Sequence, residues 1–183
     1  MKLHTYALLF FLFLSPPILA SNLDLTAKGG HFQDCELIDQ GPSGSIKGSI
    51  SLIELSSDPK WASVVAIILI QDTKPSRVFR LSLGSVSTSK KLEVRYEFFV
   101  GESRQVAEAL AEIPVGEPMP FQMTWGQSQL VQLSIANTAP RNLWLDMKAS
   151  RAFVLVSGSR GLFQTEGKEQ IDCTRDLNVR VEN

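Results

Sequence analysis

Apolar and polar residues alternate along most of this chain with a period of two. Ile46, Gly48, Ile50 and Leu52 alternate with Ser45, Lys47, Ser49 and Ser51. Phe79, Leu81 and Leu83 alternate with Arg80 and Ser82, and Leu92, Val94, Tyr96 and Phe98 with Lys91, Glu93, Arg95 and Glu97. Phe121, Met123 and Trp125, then Val131, Leu133 and Ile135, repeat the pattern, and Leu143, Leu145 and Met147 share one face. Such spacing predicts strands with one buried and one wet face. Trp61 to Ile70 departs from it, being almost wholly apolar and β-branched. That composition predicts a strand covered on both faces, with Trp61 in the core.

Turn chemistry separates these runs. Gln40 to Gly44, Ser56 to Pro59, Asp72 to Ser76, Gly126 to Ser128 and Asn137 to Pro140 are rich in Gly, Pro, Ser, Asn and Asp. Residues 21–34 show little periodicity and read as a lead-in to a first short strand from Cys35 to Ile38. Phe153 to Val156, Ser157 to Gly161 and Leu162-Phe163 read as a strand, a tight turn and its partner. A final strand runs through Ile171 and Cys173. Arg104 to Ile113 admits two readings: its Ala, Glu and Leu content suits a helix, but its position between strand pairs favours a strand. Ten or more short strands at regular spacing predict one all-β domain, a two-sheet antiparallel sandwich, with a short helix at 104–113 as the variant.

The first twenty residues have a different character. Lys2 is followed by an apolar stretch from Ala7 to Leu14, a break at Ser15-Pro16-Pro17, and Ile18-Leu19-Ala20. This layout predicts a secretory signal peptide cleaved after Ala20, leaving a single domain over 21–183. The apolar stretch is shorter than the roughly 20 residues a bilayer span needs. Of 18 Lys and Arg and 19 Asp and Glu, the leader holds only Lys2, so the mature chain has 17 against 19 and a net charge of −2. With no Lys/Arg-rich run either, neither nucleic acid nor membrane insertion is expected.

The two cysteines, Cys35 and Cys173, lie near opposite ends of the mature chain. In an oxidising compartment one bridge is the economical outcome, and it makes the first and last strands neighbours. A metal site or a catalytic thiol are the competing readings. For a metal, His31 is the one histidine left besides the cysteines, short of the usual three or four ligands.

The order of features also resembles a known architecture. Phe79-Arg80-Leu81-Ser82-Leu83, the long strand Leu92 to Val100, and Pro120 to Trp125 with its hairpin into Gln129 to Ala136 are similar to the concanavalin A-like superfamily. Laminin G-like domains, legume-type lectins and several polysaccharide-acting enzymes share that jelly roll, and the likeness spans Ile46 to Cys173. It implies two curved sheets, adjacent chain ends, and ligands on the concave face or its rim. Many members use calcium, which needs converging oxygens. Asp72, Asp146 and Asp172 are scattered, so no cofactor is expected, and calcium stays open through the resemblance with no motif behind it.

Catalytic chemistry finds few footholds. His31 sits in the lead-in after Gly29-Gly30 and reads as an exposed imidazole. The Glu-x-Asp-x-x-Glu device of hydrolases in the resembling superfamily is absent. Glu93 and Glu97 share a strand face about 13 Å apart, with the Arg95 guanidinium between them to keep both ionised. The pairs Glu108/Glu112 and Glu166/Glu169 have spacings of solvated faces and loops, and Tyr96 lies on the apolar side of its strand.

Binding is better served. Trp144 is out of phase with Leu143, Leu145 and Met147 and in phase with Asn142, Asp146 and Lys148, which puts an indole on a polar face. The alternative is an indole covered by a loop or by the Arg104–Ile113 segment. Arg80, Glu93, Arg95 and Glu97 form a second polar set, read as cross-strand ion pairs or as the lining of a groove. The expected role is an exported, non-catalytic binding module for carbohydrate or another cell-envelope or extracellular ligand. A structural or protein-interaction factor on the same fold is the alternative, and a polysaccharide-acting hydrolase or lyase the third reading. Trp144, Asn142, Asp146, Arg80, Glu93, Arg95 and Glu97 are the ligand-binding candidates.

Overall fold

The alternating segments fold into strands whose apolar faces meet across a sandwich. The computed structural model describes residues 21–38, 42–57, 60–85, 91–136, 138–167 and 170–174. The leader and its cleavage point therefore lie outside the described residues. Thirteen strands run in chain order among them. They are β1 (Asn22–Thr26), β2 (Phe32–Ile38), β3 (Gly44–Glu54), β4 (Val64–Gln71), β5 (Arg77–Ser85), β6 (Lys91–Val100) and β7 (Ser103–Pro114). Then follow β8 (Met119–Trp125), β9 (Leu130–Ile135), β10 (Arg141–Trp144), β11 (Arg151–Ser157), β12 (Arg160–Thr165) and β13 (Gln170–Asp172).

One sheet has the order β1-β12-β3-β8-β9-β10 and the other β13-β2-β11-β4-β5-β6-β7, and every pairing is antiparallel. The inner faces carry the predicted apolar sets. Ile46, Ile50 and Leu52 meet Ile67, Phe79 and Leu81 in a core where each is essentially inaccessible. Phe79 stacks on Tyr96 across β5 and β6, at 6.0 Å between ring centres. Strand β4 is buried on both faces: Val65, Ile67 and Leu69 point inward, while Ala66, Ile68 and Ile70 join Phe153 in a second apolar cluster. The Arg151 guanidinium lies 4.5 Å over the Phe153 ring and donates to Glu36, roofing part of that cluster.

The Cys35–Cys173 bridge is formed. It follows the pairing of β2 with β13, where Leu37 faces Ile171 and Glu36 faces Asp172. The ambiguous segment is a twelve-residue strand, β7, at the edge of its sheet. Register shifts against β6 at Val94/Arg95 and Phe98/Phe99 interrupt its alternation, so no clear strand pattern offsets its Ala, Glu and Leu content.

Three expectations are corrected. The lead-in contains a strand of its own: β1 pairs with β12 and buries Leu25, and β2 begins at Phe32 rather than Cys35. Leu162-Phe163 is not the hairpin partner of Phe153 to Val156. Instead β11 and β12 belong to different sheets, and residues 157–160 carry the chain between them, with Gly158 at φ 57°.

Trp61 is the third correction, being 44% exposed and outside the core. The buried Ser63 hydroxyl donates to the Gly158 carbonyl and accepts from the Ser56 amide, so the chain joins the sheet only at Val64. The indole then lies over Gly29 and Gly30, where an added Cβ would approach it to 2.9 and 3.0 Å. Gly30 also has a φ of 78°, which favours glycine there.

Candidate functional site

Strands β5 and β6 are neighbours, so their outward residues stand side by side: Arg80 opposite Glu97, Ser82 opposite Arg95, Gly84 opposite Glu93. Val64 from β4 and Arg104 from β7 complete the walls of a pocket of about 350 Å³ on the outer face of the seven-stranded sheet. The four residues predicted as a second polar set are thus brought together. They are ion-paired and line a pocket at once, so the two sequence readings coexist.

Glu97 is the centre of the charge network. Its side chain is only 3% exposed. One oxygen accepts from Arg80 Nε at 2.9 Å and from Arg80 Nη2, and the other accepts from Arg104 Nη1 at 3.2 Å. Burial pushes its carboxyl up, but the hydrogen bonds and charges of Arg80, with those of Arg104 and Arg95, outweigh it and hold the group below the ordinary range. Glu93 pairs with Arg95 along the same strand. Arg95 Nε is buried without a hydrogen-bond partner, and Arg80 also lies 5.5 Å over the Phe99 ring. Three guanidiniums face two carboxylates, leaving the lining one positive charge in excess.

Arg104 is the charged lining residue that sequence reasoning missed, alongside the uncharged Val64, Ser82, Gly84 and Ser85. It faces Phe99 only because the β6–β7 register shifts between Phe98 and Phe99, and no periodicity announces a bulge.

Acid is expected to weaken this arrangement. A carboxyl held below its unfolded value of 4.5 contributes stability above that pH and loses the contribution as pH falls through the folded value. Thermal melts of the wild type are therefore expected to drop between about pH 5 and about pH 3. A Glu97→Gln variant should show a shallower dependence over the same window. Parallel slopes in the two proteins would mean that Glu97 does not contribute.

The other predicted set lies on the outer face of the six-stranded sheet. Trp144, at the end of β10, is 74% exposed, and Asn142 is exposed two residues before it. Asn142 faces Gln132 of β9, which faces Thr124 of β8, which faces Ser45 of β3. Gln132 Nε2 donates to Asn142 Oδ1 at 3.1 Å, and Thr124 Oγ1 donates to Gln132 Oε1 at 3.2 Å. Asp146 lies past the strand end, where its carboxylate accepts from Arg77 at 2.9 Å and from Gln129 at 3.1 Å. Lys148 is exposed, and its backbone amide donates to Gln71.

At the margin between the two sheets, Tyr96 Oη donates to Glu108 at 2.6 Å, and Arg141 of β10 pairs with the same carboxylate. Burial, then the hydrogen bond to Glu108, raises the Tyr96 phenol above 10.0. This contact joins the edge strands β7 and β10. His31 is exposed in its loop, where its backbone amide donates to the Lys28 carbonyl and its own carbonyl accepts from Gly158 and Ser157. Among the described residues no three His, Cys, Asp or Glu side chains converge on a point that could hold a metal ion.

No protein-family model matches the chain, and no curated protein matches it in sequence. Solved structures do match its fold. A polysaccharide lyase of family 18, aly-SJ02, superposes with a TM-score of 0.53 at 9% identity, covering 84% of this chain and 88% of that one. The alginate lyase of Alteromonas sp. 272 gives 0.52 at 7% identity over 83% and 78%. Scytalido-glutamic peptidase gives 0.50 at 11% identity over 86% and 71%. The fold is the jelly-roll sandwich of the concanavalin A-like resemblance. A lyase and a peptidase on one scaffold also mean that the fold alone assigns no chemistry.

Proposed function

We propose that this protein is an exported, non-catalytic binding module whose pocket on β5, β6 and β7 holds an acidic oligosaccharide. The observation that carries the reading is the excess of guanidinium in a pocket of saccharide size. Arginine presents paired donors that match a carboxylate, and Ser82 and the carboxylates can read hydroxyls. The disulfide supports an oxidising compartment, and lyases acting on polysaccharide share the sandwich. Catalysis is disfavoured because a general acid must carry a proton, while Glu97 is held ionised by two arginines.

Titration with oligogalacturonate and oligoalginate tests the proposal. Binding is expected to weaken about tenfold in Arg95→Ala and in Arg104→Ala, and to fall with added salt. Affinity unchanged in both variants, or no affinity in the wild type, would remove the acidic-saccharide reading. The second reading, a protein-interaction factor, is favoured by the exposure of Phe32 and Trp61 on the same end of the sandwich as Gly158. It predicts a stable protein partner that is lost on Phe32→Ser, and no saccharide affinity in the wild type.

A further inference from the structure

The groove leaves the most exposed large apolar side chain of the described residues, Trp144, without a role. Trp144 stands on the opposite sheet, and its surroundings differ in kind from the groove. The row Asn142, Gln132, Thr124 and Ser45 crosses four adjacent strands and contains only amides and hydroxyls. Beside it, Ser134 faces Gln122, which in turn faces Lys47 of β3, whose ammonium pairs with Glu166. Strand spacing makes the longer row about 14 Å from end to end. Trp144 itself faces Leu130 across β9, so an apolar step borders the neutral row.

From this juxtaposition we infer a second binding site, which takes an uncharged pyranose chain lying across β10, β9, β8 and β3. The indole offers a flat π-face to ring C–H groups, while the amides offer both donors and acceptors to hydroxyls. The internal bonds from Gln132 to Asn142 and from Thr124 to Gln132 orient those amides before any ligand arrives. The row carries no formal charge, and the cation flanking it on β3, Lys47, is already paired with Glu166, so acidic chains are not favoured there. Asp146 is not part of this site, because Arg77 and Gln129 already engage its carboxylate. The site shares no residue with the groove, so one can fail while the other stands.

The probes are cellotetraose, xylotetraose, laminaritetraose and chitotetraose, titrated into the oxidised protein by calorimetry and by tryptophan fluorescence. At least one is expected to bind and to perturb the indole emission. Trp144→Ala should weaken it tenfold or more, Trp144→Phe by less, and Gln132→Ala severalfold. Arg95→Ala and Arg104→Ala should leave it unchanged. Since Trp144 is exposed, its replacement should not alter the melting temperature, which the same samples report. If none of the four tetrasaccharides binds, or if binding survives Trp144→Ala unchanged, the inference is wrong. Loss of tetrasaccharide binding in the arginine variants would also overturn it, by placing uncharged chains in the groove.

Discussion

A Cys35→Ser/Cys173→Ser double variant is expected to lose about 5 kcal/mol of unfolding free energy. The bridge closes a loop of 138 residues, nearly all of the folded chain. Without it the unfolded ensemble regains the freedom that the cross-link removes. A loss of that size approaches the whole stability of many domains, so the variant should be partly unfolded at physiological temperature. Local structure adds to the effect. Strand β13 is three residues long and pairs only with β2, so the bridge is its main anchor. Urea titration should show a lower midpoint together with a steeper slope, since the freed unfolded chain exposes more surface. A change of about 1 kcal/mol or less, with an unaltered slope, would mean that the ends hold together without the bridge.

Gly48→Ala is the second large effect, and its sign is opposite to the usual one. Replacing glycine by alanine inside a strand ordinarily stabilises by restricting the unfolded chain. At this position β3 is flanked by β12 and β8, and an added Cβ would fall 1.9 Å from the Gln164 carbonyl oxygen. That oxygen is backbone, so relief requires β12 to move away from β3. Phe163, essentially inaccessible and stacked on Phe121 at 6.3 Å, would be dragged with it. A loss of about 3 kcal/mol is expected, lowering the melting temperature by roughly 6–12 °C. Equilibrium denaturation measures it directly, and a neutral or stabilised variant would show that β12 yields freely.

Much of the sandwich was legible because a half-buried strand writes its parity into the chain. Strands β3, β5, β6, β8 and β9 each carry three or more apolar residues at alternate positions, and each is found near its predicted place. Strand β1 was hidden because its alternation holds only two apolar residues, Leu23 and Leu25. Trp61 misled because apolar character continues smoothly into β4, while the hydrogen bonds of Ser63 decide where the strand begins. For the candidate sites, parity correctly put Trp144, Arg80, Arg95 and Glu97 on outer faces. Which strands are neighbours is a long-range property, and so the meeting of Arg80 with Glu97 was visible only as a condition. Arg104 depended on a bulge, a backbone event that side-chain pattern does not encode.

The sheet orders have one more consequence, concerning how the molecule can be held. Strands β1 and β13, the first and last, are each at an edge, and β1 packs against β2, the neighbour of β13. The opposite margin is formed by β7 and β10, joined through Glu108 and Arg141. The groove on β5 to β7 and the indole on β10 both lie toward that far margin. A tether, surface or fused partner attached at either end of the described chain therefore grips the sandwich by its spine. Both faces near the fore-edge stay open, as the pages of a shelved book do not, and each can be approached from its own side.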